Sequence, residues 1–212
     1  VYKQRYEKGK VMYPLKIVGD CEPEKTGTKV TFLPDDTIFE ETVFEYDILK
    51  QRFREMAFLT KGLKISLTDL RGEEEQEETF HYEGGIKEFV EYLNKSKTPL
   101  YDNIIYCEGV KDNVMVEVAM QHNDSFTDNT YGFVNNITTP EGGTHVVGFR
   151  NAITKTFNDY ARKNKLLKDS EPNLTGEDIR EGLTAIISVK IEDPQFEGQT
   201  KQKLGNSEAR GA

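Results

Sequence analysis

The sequence contains little of the chemistry that usually marks a secreted protein or a metalloenzyme. It has no tryptophan, three histidines and two cysteines among 212 residues. Cys21 and Cys107 stand in no CxxC or CxxH context, so neither a structural disulfide nor a zinc site is predicted. Cys107 is expected to be a packed thiol in an apolar strand. A reduced interior and a cytoplasmic location fit this cysteine usage.

Long apolar segments are also missing. No run reaches the roughly 18 apolar residues of a membrane-spanning helix, so no membrane contact is predicted. The N-terminal stretch VYKQRYEKGK is polar and strand-like, without the apolar core of a signal peptide. It also lacks an initiating methionine, which predicts that the chain is a piece of a longer protein.

The charge is acidic, with a formal net value of −9. A general nucleic-acid binder is normally basic, so the total argues against that class, although a local basic patch is compatible with it. Much of the acid lies in RGEEEQEET, from Arg71 to Thr79. We interpret this run as the solvated tip of a hairpin.

The spacing of apolar residues predicts the fold class. The first forty residues are typical of strands and turns, including a short strand in GTKVTFLPDD (27–36), and a domain boundary is expected near Thr37 to Thr42. Strands and helices then alternate. The predicted helices are 45–62, 85–97, 142–165 and a short capped helix from Thr175; the predicted strands are 63–70, 77–85, 103–123, 130–137 and 184–191. Interleaving around one sheet indicates an α+β, or α/β-like, domain.

The strongest helix signal lies in 142–165. Its apolar stripe is expected to be Phe149, Ala152, Ile153, Thr156, Phe157 and Tyr160. Its opposite face carries Arg150, Lys155, Arg162 and Lys163. The preceding Gly142–Gly143 pair is typical of a tight turn or of a phosphate-binding turn, and the missing P-loop lysine favours the tight turn. A cap at Thr144 and a surface imidazole at His145 are expected.

No metal or nucleophile motif is legible. The histidines lack HExxH spacing, and no GxSxG is present. His122, Asp124 and Asp128 in QHNDSFTDN lack the alternation of a calcium loop, so a polar inter-strand loop is the favoured interpretation. A metal-dependent hydrolase using His122 and Asp124 is a remote alternative, and no metal site is predicted.

The stretch GQTKQKLGN, from Gly198 to Asn206, follows the last predicted strand. Gln199, Thr200 and Lys201 offer an amide, a hydroxyl and an ammonium, and an ammonium is a point-charge partner for phosphate. In an extended loop Gln199 and Lys201 would point the same way. Composition alone favours a solvated linker, and an anion-binding loop is the alternative.

Six segments, in order, resemble one family. They are EKTGTKVTFLPD, FEYDILKQRFREMAFL, HYEGGIKEFVEYLNKSKTPL, NNITTPEGGTHVVGFRNAITKTFNDYA, GEDIREGLTAIISVKIEDPQFEGQTKQKLGN and SEAR. Together they cover nearly the whole chain and are similar to the B subunits of bacterial DNA gyrase, a type IIA topoisomerase. The B subunits of topoisomerase IV are the nearest alternative, and YEGGIKEFVEYLNKSKTP is more similar to gyrase.

The resemblance implies a domain organisation. Residues 1–38 would be the C-terminal strands of an ATPase domain of the gyrase, Hsp90, histidine kinase and MutL (GHKL) superfamily. Residues 39–198 would be a transducer domain with the ribosomal-protein-S5-domain-2-like fold, which has a left-handed βαβ crossover. Residues 199–212 would be the QTK loop and the start of the helix toward the TOPRIM half.

The resemblance also implies site residues. Lys201, in a catalytic role, and Gln199 would contact the γ-phosphate of ATP, while Thr28 beside Gly27 would belong to the ATP site at the adenine pocket. Arg150 of the GFR motif would line a cavity that holds DNA, and a surface salt bridge of little energetic worth is the alternative for this arginine. The magnesium ligands of the family lie outside residues 1–212, so ATP and Mg²⁺ would be cofactors of the full-length enzyme, and the fragment alone is expected to bind neither and to be inactive.

The whole enzyme would be an ATP-hydrolysing isomerase that introduces negative supercoils by passing one duplex through a double-strand break. Its partners would be a second gyrase B molecule, gyrase A and double-stranded DNA. The QTK loop is expected to be mobile without nucleotide. A non-enzymatic protein-interaction module is the alternative from a different class.

Overall fold

The computed structural model describes all residues from 1 to 212. Its contacts divide the chain into two compact units, Val1–Glu45 and Tyr46–Ala212. The elements in chain order are β1 (Tyr2–Glu7), β2 (Lys10–Ile17), α1 (Tyr46–Leu59), β3 (Lys64–Asp69), β4 (Gln76–His81), α2 (Ile86–Asn94), β5 (Ile105–Lys111), β6 (Val114–His122), β7 (Asn129–Val134), β8 (Ile137–Thr138), α3 (Thr144–Lys163), α4 (Gly176–Arg180), β9 (Leu183–Lys190) and α5 (Ser207–Gly211). The assignment of residues 1–38, 39–198 and 199–212 to the domains named above stays a prediction.

The first unit contains one antiparallel hairpin. β1 and β2 pair around Lys8 and Gly9, whose φ angles of 49° and 77° suit a tight two-residue turn. Residues 18–45 are irregular, so the strand predicted at 27–36 is wrong. A segment rich in β-branched residues forms a strand only where a neighbouring strand pairs with it. No strand of this chain pairs with residues 27–36.

The second unit is built on a five-stranded sheet of order β5-β6-β9-β7-β8. β9 is the central strand, antiparallel to β6 and parallel to β7. All of its residues except Lys190 are buried, because helices cover both faces of the sheet there. β7 and β9 are joined through β8, α3 and α4, which gives the βαβ crossover that the resemblance implied. Its left-handed sense stays a prediction.

Different helices cover the two faces of the sheet. α1 and α2 pack on one face through Phe58, Leu59, Ile86, Phe89, Val90, Ala119, Phe133 and Ile186. α3 and α4 pack on the other through Val118, Ile153, Ile179, Leu183, Ala185 and Ile187. Burial of a large apolar side chain contributes about 1.5–3 kcal/mol relative to exposure, so these layers hold the unit together. The predicted α+β class is confirmed.

β3 and β4 form a separate hairpin, and the acidic stretch between them is its turn, as predicted. Neither cysteine forms a disulfide. Cys107 is exposed, however, so the prediction of a packed thiol is wrong. The reason is that β5 is an edge strand of the sheet, with only β6 beside it. None of the helices combines the length and the apolar composition needed to cross a bilayer.

The predicted apolar stripe of α3 is partly wrong. Ile153 is buried as expected, but Ala152, Thr156 and Tyr160 are exposed. The side chains buried on this helix are His145, Val146, Ile153, Asn158 and Ala161. Two polar side chains thus lie on the buried face, which an apolar stripe does not reveal.

Candidate functional site

The segment after β9 folds into a short hairpin, residues 195–206, which we call the QTK hairpin. Its arms meet at an antiparallel bridge between Phe196 and Leu204. At the tip, the Lys201 N–H donates to the Gly198 carbonyl at 3.3 Å, closing a four-residue turn. The segment is therefore a defined hairpin with a turn, and the linker favoured from composition is wrong as a description of its structure.

The tip of the QTK hairpin presents Gln199, Thr200 and Lys201, all exposed. Lys201 has a φ of 57°, and the turn replaces the extended loop that would have pointed Gln199 and Lys201 the same way. The Lys201 ammonium forms no ion pair, whereas Lys203 pairs with Glu197 at 2.9 Å. An amide and an unpaired ammonium are therefore available to a ligand.

The root of the QTK hairpin is fixed by Leu204, which is fully buried. Its side chain packs with Val114, Val134, Val189, Ile191 and Ala209. Its N–H donates to the Gly142 carbonyl at 3.1 Å, and its carbonyl accepts from the Thr144 N–H at 3.0 Å. The Glu141 N–H donates to the Gln202 carbonyl at 3.1 Å. The hairpin therefore adds a short strand beside the turn that begins α3.

Asn206 closes the base of the QTK hairpin. Its side chain is buried, and its Oδ1 accepts from the Gln195 N–H at 2.6 Å while its Nδ2 donates to the Asp193 carbonyl at 3.1 Å. The Gly205 N–H donates to the Gln195 carbonyl at 2.8 Å. One buried amide thus ties the chain entering the hairpin to the chain leaving it.

Gly142 and Gly143 form a tight turn before α3. Gly143 precedes the first helical residue with a φ of 130°, and a Cβ added there would meet the backbone N and O of Leu204 at 2.4 Å. Only glycine permits this approach. Because the Thr144 N–H at the start of α3 donates to Leu204, that donor is not available to an anion.

His145 is buried, so the predicted surface imidazole is wrong, and so is the Thr144 cap, because the cap residue is Gly143. The Thr139 hydroxyl donates to the Gly132 carbonyl at 2.9 Å, so its oxygen accepts from His145 Nε2 at 3.2 Å. His145 Nδ1 is buried without a partner. Burial lowers the pKa of His145 to about 4.

Arg150, in the second turn of α3, shares one carboxylate with Arg180 of α4. Arg150 Nη2 donates to Asp128 Oδ2 at 3.0 Å, and Arg180 Nε donates to the same oxygen at 2.9 Å. Both arginines line a groove of about 620 Å³ between α3 and the segment before α4, together with Thr154 and Asn158. Two guanidinium groups against one carboxylate leave a net positive charge in this groove.

Two further residues of the predicted basic face on α3, Arg162 and Lys155, are engaged in local contacts. The Arg162 guanidinium donates to two carbonyls of the following loop and to Asn173 Oδ1, at 2.5–3.1 Å. Lys155 pairs with Asp159 one turn along the helix. Arg162 therefore anchors a loop, and its charge is not freely presented to a partner.

Gly27 and Thr28, predicted for the adenine pocket, are neighbours in the irregular part of the first unit, and both are exposed. A Cβ added at Gly27 would meet no atom within 4 Å, so the space beside it is open. Gln199 and Lys201 are brought together on one turn of the second unit. Arg150 lies apart from that turn, on α3.

His122, Asp124 and Asp128 do not converge. The two ring nitrogens of His122 contact the Tyr101 hydroxyl and the Ile179 carbonyl, each at 2.8 Å. Asp124 accepts a backbone N–H, and Asp128 holds the two arginines. No group of three or more metal-ligating side chains occurs in the chain. The hydrolase alternative therefore lacks a site.

Residues 85–212 match the family model described as DNA gyrase B. The chain belongs to the DNA gyrase B family. The DNA gyrase B subunit of Halalkalibacterium halodurans is 59% identical over 211 residues, which are 99% of this chain and 33% of that protein. The chain thus spans about a third of that gyrase B relative.

Two solved structures have a similar fold. The 43K ATPase domain of Thermus thermophilus gyrase B, in complex with an aminocoumarin, has a TM-score of 0.84 at 37% identity, covering 99% of this chain and 56% of that chain. A topoisomerase IV ATP-binding domain from Francisella tularensis, in complex with a small-molecule inhibitor, has a TM-score of 0.80 at 29% identity. The match covers 99% of this chain and 56% of that chain. The fold expected of a gyrase B member is confirmed.

Sequence reasoning missed the residues that hold two predicted site residues, Arg150 and Lys201, in position. Asp128 holds both Arg150 and Arg180, yet the three are far apart in sequence and only the folded domain brings them together. No sequence signal connects them. The root of the QTK hairpin did have a signal, because Leu204 is the one large apolar residue in 198–206.

Proposed function

We propose that this chain is the part of DNA gyrase B that senses the γ-phosphate of ATP and relays nucleotide state to domain motion. Lys201 carries the proposal, as an exposed, unpaired ammonium at the tip of a hairpin whose root is buried. Hydrogen bonds between charged groups are roughly twice as strong as neutral ones. A fixed root with an exposed tip suits a residue that contacts a ligand held outside its own domain.

The tip chemistry fits a phosphate and does not fit a metal ion. Gln199 supplies a neutral donor and Lys201 a positive charge, while the nearest carboxylate on the hairpin, Glu197, is paired with Lys203. Gly27 and Thr28 would contact the adenine. ATP, with Mg²⁺ held by other parts of gyrase B, would supply the phosphoryl group. Lys201 would stabilise negative charge that develops on that group during hydrolysis.

The whole enzyme would be an ATP-dependent type IIA topoisomerase, an isomerase that adds negative supercoils to double-stranded DNA in the cytoplasm. A second gyrase B molecule and gyrase A would be its partners, and Arg150 would line the DNA cavity. The name of the 59% identical relative supports gyrase over topoisomerase IV and its decatenation activity. The isolated chain would be inactive.

The test is Lys201→Ala in full-length gyrase B assembled with gyrase A. Removing one donor from a transition state typically costs about 10²–10³-fold in rate, so ATP-driven supercoiling should fall by about that factor. Lys203→Ala is the matched control, because that ammonium is paired with Glu197, and it should stay close to wild type. Normal ATPase and supercoiling rates in Lys201→Ala would refute the proposal. A hairpin tip that ATP analogues never order in full-length gyrase B would favour a non-enzymatic interaction module.

A further inference from the structure

The segment that follows the tip of the QTK hairpin lies directly on the first turns of α3. A Cβ at Gly143 would meet the Leu204 backbone at 2.4 Å, and a Cβ at Gly148 would meet the Arg210 carbonyl oxygen at 2.6 Å. Gly143, the cap residue of α3, and Gly148, within the helix, thus let two stretches of backbone from the chain after β9 approach the helix closely. Packing this close allows little independent movement.

The first of these contacts is also hydrogen-bonded. Residues 141–144 and 202–204 exchange three backbone hydrogen bonds of 3.0–3.1 Å, and Leu204 beneath them is fully buried. We call this contact the latch. The latch joins the QTK hairpin to the start of α3, a helix of 20 residues that contains no proline. Because an α-helix rises 1.5 Å per residue, Arg150 lies only about 10 Å along the helix from Gly143.

We propose that Gly143 is a positioning residue that couples the nucleotide to the DNA. It lets Leu204 seat on the start of α3, so that a displacement of the QTK tip moves the helix that carries Arg150. The inference rests on the function proposed above and adds the physical link between its two ends. The coupling element is one rigid contact between the QTK hairpin and the start of α3, and not a diffuse path through the domain.

Gly142 provides a matched control for Gly143. Both glycines have positive φ, 71° and 130°, so alanine is strained at either position. A Cβ at Gly142 would meet only the Val146 side chain, at 3.5–3.7 Å, which is ordinary contact. A Cβ at Gly143 cannot be accommodated unless Leu204 moves. Both substitutions strain the backbone, Gly143→Ala more strongly, and only Gly143→Ala also displaces Leu204.

The experiment uses full-length gyrase B carrying Gly143→Ala or Gly142→Ala, assembled with gyrase A. For Gly143→Ala, supercoils introduced per ATP hydrolysed and the stimulation of ATPase by DNA should each fall by about tenfold, a typical size for coupling between sites. The KM for ATP should stay close to that of wild type, and Gly142→Ala should retain its coupling. Equal coupling in the two variants would overturn the proposal. So would a Gly143→Ala enzyme that loses ATPase as completely as Lys201→Ala, because that result means the hairpin itself is lost.

Two further measurements complete the test. If Lys201→Ala is fully active, the proposed function fails; if Lys201→Ala is inactive and Gly143→Ala matches Gly142→Ala, only the latch fails.

Hydrogen exchange on the wild-type complex needs no variant to fold. The Thr144 and Leu204 amides should be protected with and without a non-hydrolysable ATP analogue, while amides at 199–201 gain protection only with it. Latch amides that exchange as fast as the tip would overturn the proposal.

Discussion

Acidification should destabilise the second unit through His145, the second residue of α3. In the folded protein its Nε2–H donates to Thr139, and its Nδ1 lies buried without an acceptor. Protonation of Nδ1 would place a positive charge and an unsatisfied donor in that position. The folded state therefore resists the proton, whereas the unfolded chain takes it up freely.

The size of the effect follows from the pKa of His145, which burial lowers from an ordinary 6.5 to about 4. Because the folded pKa is depressed, the unfolded state binds more protons between these values, and stability falls as the pH drops below 6.5. The loss should be about 2 kcal/mol between pH 7.5 and pH 5, and it should approach about 3 kcal/mol below pH 4.

Urea unfolding followed by circular dichroism at the helix band measures this loss. Circular dichroism is chosen because the chain has no tryptophan to report unfolding by fluorescence. All five helices lie in Tyr46–Ala212, so the helix signal reports the second unit alone. His145→Gln is the comparison, because its amide stays neutral while all other titrating groups are unchanged. Wild type should lose about 2 kcal/mol more than His145→Gln between pH 7.5 and pH 5. Parallel pH profiles would refute the argument.

Two other substitutions test separate parts of the structure. Arg150→Gln in full-length gyrase B should lower the slope of log DNA affinity against log salt by about one and weaken DNA stimulation of the ATPase, since one phosphate partner is removed; unchanged stimulation would count against Arg150 as a DNA contact. Thr175→Ala removes the capping box that Thr175 forms with Asp178, and should lower the free energy of unfolding by about 1 kcal/mol, with Thr175→Ser restoring it; an unchanged urea midpoint would show that the cap contributes nothing.

Elements with local signals could be predicted from the sequence. The turn between β5 and β6 needs two residues with positive φ, and Asp112 and Asn113 supply them at 50° and 62°. Thr175 and Asp178 form the capping box expected at the start of α4. Each of these signals acts within a few residues, so a reading of short segments captures it.

Features decided by distant partners could not be predicted. The stretch 27–36 has the composition of a strand but no paired neighbour, and Cys107 belongs to a strand at the edge of its sheet. His145 is buried because Gly132 leaves room for it: a Cβ there would meet His145 Nε2 at 2.6 Å. Sequence spacing carries no information about such contacts, since they form only after β7 and α3 pack together.

The candidate site shows the same division. Lys201 and Lys203 have the same side chain and lie in one hairpin, and only Gln202 separates them in the sequence. The bridge between Phe196 and Leu204 sets the register that places Glu197 opposite Lys203, so that Lys203 is paired and Lys201 remains free at the tip. Burial of Leu204 fixes that register. The residue that anchors the hairpin therefore also determines which lysine is available to an anion, and neither composition nor charge could have distinguished the two.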